Sequence, residues 1–350
     1  MNSILKNRLN KLLKATFIIS TMFLFVQCAD NSSSDSGGST LTPQYAYITD
    51  GDDLKIIDVA NPTSPTFVNS IAMNTSYFVS VSPGQANIAH YDAIEPYLSI
   101  VNIQNVNSLS SFALPKNSAN NFSLLSDIYS IQGTAYFSDL YRGLNVVDPT
   151  NNSLFTNLGS DAMSVTGIGD KLYLIDQANG LSKYDISSPN SPSYTNVNNN
   201  TDVDTASYPD ANFGQFHSWV ENDGTYIYVA NIIDKKLKKF DPVNLNLISE
   251  VSFEGYATAF AISNGFAYIT TKAGNSPLQS SFDGISMFDL STMTFTNFKA
   301  LSRTSGVAIN GNHCYVTDAD GLHIYNISTG VLVLESTLAT GYGNYIALGE

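Results

Sequence analysis

Residues 306–336 read Gly306-Val-Ala-Ile-Asn310-Gly-Asn-His-Cys-Tyr315-Val-Thr-Asp-Ala-Asp320-Gly-Leu-His-Ile-Tyr325-Asn-Ile-Ser-Thr-Gly330-Val-Leu-Val-Leu-Glu335-Ser336. Four short runs rich in Val, Ile, Leu and Tyr suit a pleated, packed surface. Between them lie turn formers. Asn310-Gly311 tolerates the positive φ of a tight hairpin, and Asp318 to Gly321 and Asn326 to Gly330 offer side-chain oxygens and glycine for turns. The pattern predicts strands over 306–309, 313–317, 322–326 and 331–336, termed A to D. Hairpin-linked strands of this length make one four-stranded antiparallel sheet.

Working outward, the same unit recurs along the chain. An aromatic within a short apolar run marks strand B at Tyr47, Tyr136, Tyr173, Tyr228, Tyr268 and Tyr315, with Asn87-Ile88-Ala89 as a degenerate copy. An Asp or Asn ends strand C at Asp58, Asn102, Asp148, Asp185, Asp241, Asp289 and Asn326. Successive marks lie 37 to 56 residues apart, the spacing of four-stranded propeller blades. A polar side chain after strand C is expected to accept a backbone N–H two residues on, closing a turn into strand D. The fold expected is all-β: a seven-bladed β-propeller of four-stranded antiparallel blades.

The ends fit that expectation. The first unit starts at strand B, and 344–348 reads as a strand A with nothing behind it. An open sheet edge invites unwanted pairing, so the C-terminal strand is predicted to complete the blade begun at Tyr45.

Residues 1–14 carry Lys6, Arg8, Lys11 and Lys14 and no acid, followed by the apolar run 15–26. That run is short for a membrane span and reads as a signal peptide. It ends at Phe25-Val26-Gln27-Cys28, which resembles the bacterial lipobox; the resemblance implies lipidation of Cys28. The expected domains are a signal peptide over 1–27, a lipidated cysteine with a polar tether over 28–43, and the propeller over 44–350. Cys314, the only other cysteine, falls in a predicted strand and reads as a small buried hydrophobe.

The formal charge is −14, and removing the four leader charges takes it to about −18. Such a surface repels phosphate backbones and anionic headgroups, which excludes nucleic acid and leaves the lipid as the only expected membrane contact.

Two stretches, Leu54-Lys-Ile-Ile-Asp-Val-Ala-Asn-Pro-Thr-Ser-Pro65 and Leu181-Ser-Lys-Tyr-Asp-Ile-Ser-Ser-Pro-Asn-Ser-Pro192, closely resemble the LVIVD repeat of bacterial extracytoplasmic propeller proteins. The resemblance implies the propeller fold and a cell-envelope location outside the cytoplasmic membrane, with the outer membrane or cell surface favoured over the periplasmic face of the inner membrane. It implies no particular activity.

The long connections, 115–126 and 198–215 between D and A and 90–97 and 271–284 between B and C, all fall at one end of such a ring. Long loops there are expected to carry function. Asp50, Asp92, Asp139, Asp176, Asn231, Thr271 and Asp318 end the B strands at that same end. They form either a carboxylate ring able to hold Ca²⁺ or a set of turn caps. Asp202, Asp204, Tyr208 and Asp210 in the longest loop are candidate partner contacts.

The four histidines, His90, His217, His313 and His323, lack metal-ligand spacing, and the chain has no nucleophile elbow or phosphate-cradling glycine loop. The reading is a monomeric, non-catalytic module that binds a protein, peptide or glycan. A metal-assisted hydrolase or lactonase at the channel mouth is the alternative. Trp219, Tyr129, Phe260 and Tyr345, all on A strands, read as core or channel lining.

Overall fold

The structure is a computed structural model; it describes residues 44–349 apart from 92–95, 114–124, 132, 141–142, 149–152, 159–160, 177–178, 198–201, 204–207, 211–213, 217 and 274–281. Among the described residues there is no helix, and every ladder is antiparallel. Each B-strand tyrosine marker falls within a strand whose apolar run drives it there. Tyr47 lies in Tyr45–Thr49, Tyr136 in Thr134–Asp139, Tyr173 in Lys171–Asp176, Tyr228 in Ile227–Asn231, Tyr268 in Phe266–Lys272 and Tyr315 in His313–Thr317.

Five sheets have four strands in simple meander order. They run Leu125–Ile131 to Ser153–Leu158, Ala162–Ile168 to Ser193–Val197, Trp219–Asn222 to Leu247–Ser252, Tyr256–Ser263 to Thr294–Ala300, and Gly306–Asn310 to Val333–Leu338. The last of these strands starts two residues later than expected. Val331 and Leu332 instead finish the turn, where Leu332 packs under the apolar cluster shared with the preceding sheet.

A seven-stranded sheet holds the remaining units. Its long strand Thr66–Ser82 pairs through Thr66 to Ala72 with Gly51–Asp58, and through Phe78 to Ser82 with Gln85–Tyr91. One strand thus serves as D of the first unit and A of the second. At the other edge, Tyr345–Gly349 pairs with Tyr45–Thr49 in the register Tyr345↔Thr49 to Gly349↔Tyr45.

The expected turn after strand C is present wherever the side chain is described. Asp58 accepts the N–H of Ala60 at 2.9 Å, Asn102 that of Gln104 at 3.0 Å, Asp185 that of Ser187 at 2.9 Å and Asp241 that of Val243 at 2.7 Å. Asp289 and Asn326 do the same for Ser291 and Ser328.

The core lies between sheets. Apolar clusters join each unit to the next in sequence, and a further one joins Ala308, Tyr315, Leu322 and Ile324 of the last sheet to Ala46, Ile48, Ile57 and Ile346 of the first. The B-strand tyrosines add polar ties at their tips. Tyr136 donates its hydroxyl hydrogen to the carbonyl of Pro189 at 2.8 Å, and Tyr173 donates to that of Pro242 at 3.1 Å, in each case crossing to the C-to-D turn of the next sheet. Buried phenols need such acceptors. The architecture is β-propeller-like.

Candidate functional site

The B strands all run from the end with short turns toward the end with long connections, so residues closing them share one face. Asp50, Asp139, Asp176, Asn231 and Asp318 stand there in equivalent places; Asp92 lies outside the described residues. The four whose bonds can be traced each cap their own turn, and Asp318 also accepts the N–H of Ser302 at 3.4 Å from the preceding connection. Asp50 accepts the N–H groups of Asp52 at 2.9 Å and Asp53 at 2.7 Å, and pairs with Lys55. Asp176, almost fully buried, accepts the N–H of Asn179 at 2.7 Å and the hydroxyl of Ser182 at 2.8 Å. Asn231 accepts the N–H of Ile233 at 3.1 Å. Thr271 donates to the carbonyl of Phe282 at 2.8 Å.

Asp318 accepts the N–H groups of Asp320 at 2.8 Å and Gly321 at 3.1 Å, and His323 Nε2 lies 3.0 Å from its Oδ1. Burial alone would raise the carboxyl pKa. The histidine and the two N–H groups outweigh that and leave it lowered. Among the described residues no three His, Cys, Asp or Glu side chains are grouped to hold a metal ion.

The long connections have firmer bounds than the sequence suggested, because the flanking strands extend into them. Gln85–Tyr91 and Pro96–Asn102 narrow 90–97, Leu125–Ile131 ends 115–126 two residues early, and Phe266–Lys272 takes Thr271 and Lys272 from 271–284. Within 198–215 the expectation of a plain loop is corrected: Tyr208–Asp210 pairs with Gly214–Phe216 as a small hairpin, which carries Tyr208 and Asp210. Asp204 lies outside the described residues. The base of this connection is fixed by Val203, buried between two sheets, and by Asp202, whose carbonyl accepts from Lys238 Nζ at 2.5 Å.

A second layer lies just inside the first, and the sequence reading overlooked its polar part. One step in from each B-strand end, the ladders place Phe78, Asp127, Ser164, Trp219, Ala259, Gly306 and Tyr345 opposite equivalent partners. Bulges at 76/78, 125/127, 162/164 and 257/259 re-aim several of these residues. Asp127 accepts the Ser164 hydroxyl at 2.6 Å and the Val165 N–H at 3.0 Å, and Ser164 in turn accepts the N–H of Val220 at 3.0 Å. Burial pushes the Asp127 pKa up to about 6 against the pull of these donors.

Trp219 stacks on Tyr345 with centroids 6.0 Å apart and planes at 13°, and Phe78 packs edgewise on Tyr345 at 5.3 Å. The signal that could have found this layer is the position one residue inside each B-strand end, which becomes visible only once pairing register is known. Trp219, Tyr129 and Phe260 are buried in the intersheet core.

With this geometry in view, the comparisons are specific about the repeat. The family model described as LVIVD repeat matches residues 41–73, 159–197 and 303–329. The chain carries LVIVD repeats. The first two matches contain the two stretches singled out from sequence; the third repeat lies in the unit of Tyr315, whose motif is more diverged. No curated protein matches the chain.

Solved structures match the repeat array at low identity. A functionally unknown protein from Desulfotomaculum acetoxidans DSM 771 is 11% identical with a TM-score of 0.62, over 88% of this chain and 99% of that one. Apo AztD from Citrobacter koseri, a propeller-like protein, is 12% identical with a TM-score of 0.57, over 87% and 98%. A computationally designed protein, Ika8, is 10% identical with a TM-score of 0.60, over 92% and 95%. At such identity the likeness concerns the fold of the LVIVD-repeat array alone.

Proposed function

We propose that the chain is a lipid-anchored, extracytoplasmic, closed seven-bladed propeller that acts as a non-catalytic binding module, taking a protein, peptide or glycan on its loop-rich face. The seven-stranded sheet is read as two blades sharing Thr66–Ser82, with Tyr345–Gly349 as the inner strand of the blade begun at Tyr45. Support for closure comes from the cluster joining the last sheet to the first. It also comes from the inner strands, which touch in cyclic order from Thr66–Ser82 round to Tyr345–Gly349 and back.

The observation that carries the binding reading is the one-sided distribution of long connections. The segments between Ala113 and Leu125, Val197 and Trp219, and Lys272 and Gly284 all leave the same end, whereas the opposite end has compact turns fixed by backbone and Asx hydrogen bonds. Chain beyond the length a turn needs is retained at recognition surfaces on rigid scaffolds.

The test is binding of the full-length lipidated chain to glycan and peptide arrays. Alanine replacements at Asp202, Asp204, Tyr208 and Asp210 are expected to abolish any saturable signal. Replacement of Asp241 and Asp289 in the compact turns is expected to leave it intact. A signal indifferent to the loop replacements would refute the assignment of this face.

A further inference from the structure

We infer that the short-turn end of the propeller is a docking surface for a phospholipid bilayer, so that the chain stands with its loop-rich face pointing away from the membrane; this rests on the lipid-anchor reading of Cys28. The first observation is where the described part of the fold begins. Val59 donates its N–H to the carbonyl of Gln44 at 2.9 Å. The same bond recurs from Ile103 to Gly84, Ile186 to Asp170, Leu290 to Gly265 and Ile327 to Asn312. Gln44 therefore occupies the place that an A-to-B turn occupies in those units, at the short-turn end. The stretch from Cys28 to Gln44 joins the fold there and spans about 50 Å at most when fully extended.

The second observation is the exposed apolar side chains. Phe67, Tyr194, Ile248, Phe295 and Leu334 each stand second in an outermost strand, beside its bulge, and each is between 51% and 55% exposed. Val243, in a C-to-D turn, is 73% exposed. Among the described residues, the large exposed hydrophobics lie at this end with the single exception of Phe282.

Tyr194 and Phe295 pack edgewise on Tyr184 and Phe288 of the next strand inward, yet each of the five leaves about half of its surface to solvent. Repetition of the choice in successive units marks a surface that is covered in use. The excess negative charge of the chain disfavours anionic headgroups. The surface therefore fits zwitterionic lipid, into which apolar side chains enter at the level of the headgroups.

The test uses the full lipidated chain in vesicles of phosphatidylcholine and phosphatidylethanolamine, with an environment-sensitive fluorophore on single cysteines introduced as Val243→Cys, Phe295→Cys or Asp320→Cys. Cys314 is fully buried and its thiol pKa raised by burial, so it does not compete for label. Brominated acyl chains are expected to quench the probes at 243 and 295 several-fold more than the probe at 320 on the loop-rich face. Adding Phe67→Ser, Phe295→Ser and Leu334→Ser to the 243 probe should bring it down to the level at 320 while the chain stays with the vesicles.

Equal quenching, or stronger quenching at 320, overturns the proposal. So does shielding of 243 in detergent that grows with protein concentration, which would make a second copy of the chain the occupant. Cys28→Ala separates the two readings. A variant that remains with the vesicles even when Phe67→Ser, Phe295→Ser and Leu334→Ser are added sinks the anchor, whereas release of Cys28→Ala alongside equal quenching in the native chain sinks the docking surface and leaves the anchor standing.

Discussion

Asp127 and Ser164 sit on adjacent inner strands of different sheets, joined by a 2.6 Å hydrogen bond from hydroxyl to carboxylate. Tyr345, itself buried, feels the charges of both Asp127 and Glu221. Because burial raises the Asp127 pKa from 3.8 to about 6, the folded chain holds this proton more tightly than the unfolded chain does. The sign follows directly: the associated stability is complete below the unfolded pKa and is lost as pH rises through about 6. A difference of that size between the folded and unfolded chain corresponds to about 3 kcal/mol. Asp127→Asn is expected to flatten the dependence of the urea midpoint on pH between 4 and 7.5. An unchanged slope would show that the residue does not titrate in that window.

The tyrosine ties offer an internally controlled comparison. Tyr136→Phe and Tyr173→Phe each remove a hydroxyl that bonds a proline carbonyl in the next sheet, and each should cost about 1 kcal/mol. Tyr268→Phe should cost nothing or stabilise slightly, because its buried hydroxyl finds no acceptor among the described residues. Denaturant unfolding of the three variants checks this. Equal losses in all three would show that the bond to a proline carbonyl is not what stabilises Tyr136 and Tyr173.

These tyrosines also explain why so much of the fold was legible. A B strand is buried on both faces, so its composition is constrained, and Ala46-Tyr47-Ile48 and Cys314-Tyr315-Val316 advertise it. The C-to-D turn is legible for a different reason: Asp58 or Asp185 must supply an oxygen two residues ahead. The outermost strands are less constrained, and Thr294–Ala300 is mostly exposed.

Thr66–Ser82 crosses from one unit to the next with no glycine or proline to mark the change; only Thr75, at φ 56°, breaks its extended path. The end from which the long connections leave was legible in outline because it depends on connection lengths alone. Its inner polar layer was not, since Asp127 and Ser164 meet through a bulge and across a sheet boundary, neither of which leaves a local signature.

The carboxylates at the B-strand ends should behave as caps. Asp176→Ala removes acceptors for Asn179 N–H and the Ser182 hydroxyl and is expected to cost about 1–3 kcal/mol, the range for orphaning buried donors. Asp318 has a depressed pKa, so its stabilisation is present at neutral pH and lost as pH falls through the folded value. If these groups act only within their turns, calcium added to the metal-free full chain leaves Tm unchanged. A rise that saturates with calcium would make the ring a cation site.

The closing strand can be tested through Trp219, the single tryptophan, because its indole lies against Tyr345. Truncation before Asn344 removes the ladder from Tyr345↔Thr49 to Gly349↔Tyr45. It also strips Ile346 and Leu348 from the cluster that joins the last sheet to the first. Losing those two buried side chains alone costs about 3–6 kcal/mol by area, comparable with the whole stability of a typical domain. The truncated chain should show red-shifted tryptophan emission and no cooperative melt, whereas Tyr345→Phe, which keeps the stacked ring, should retain both. A cooperative melt with unshifted emission after truncation would mean that the strand merely decorates an edge and that the sheets hold their arrangement without it.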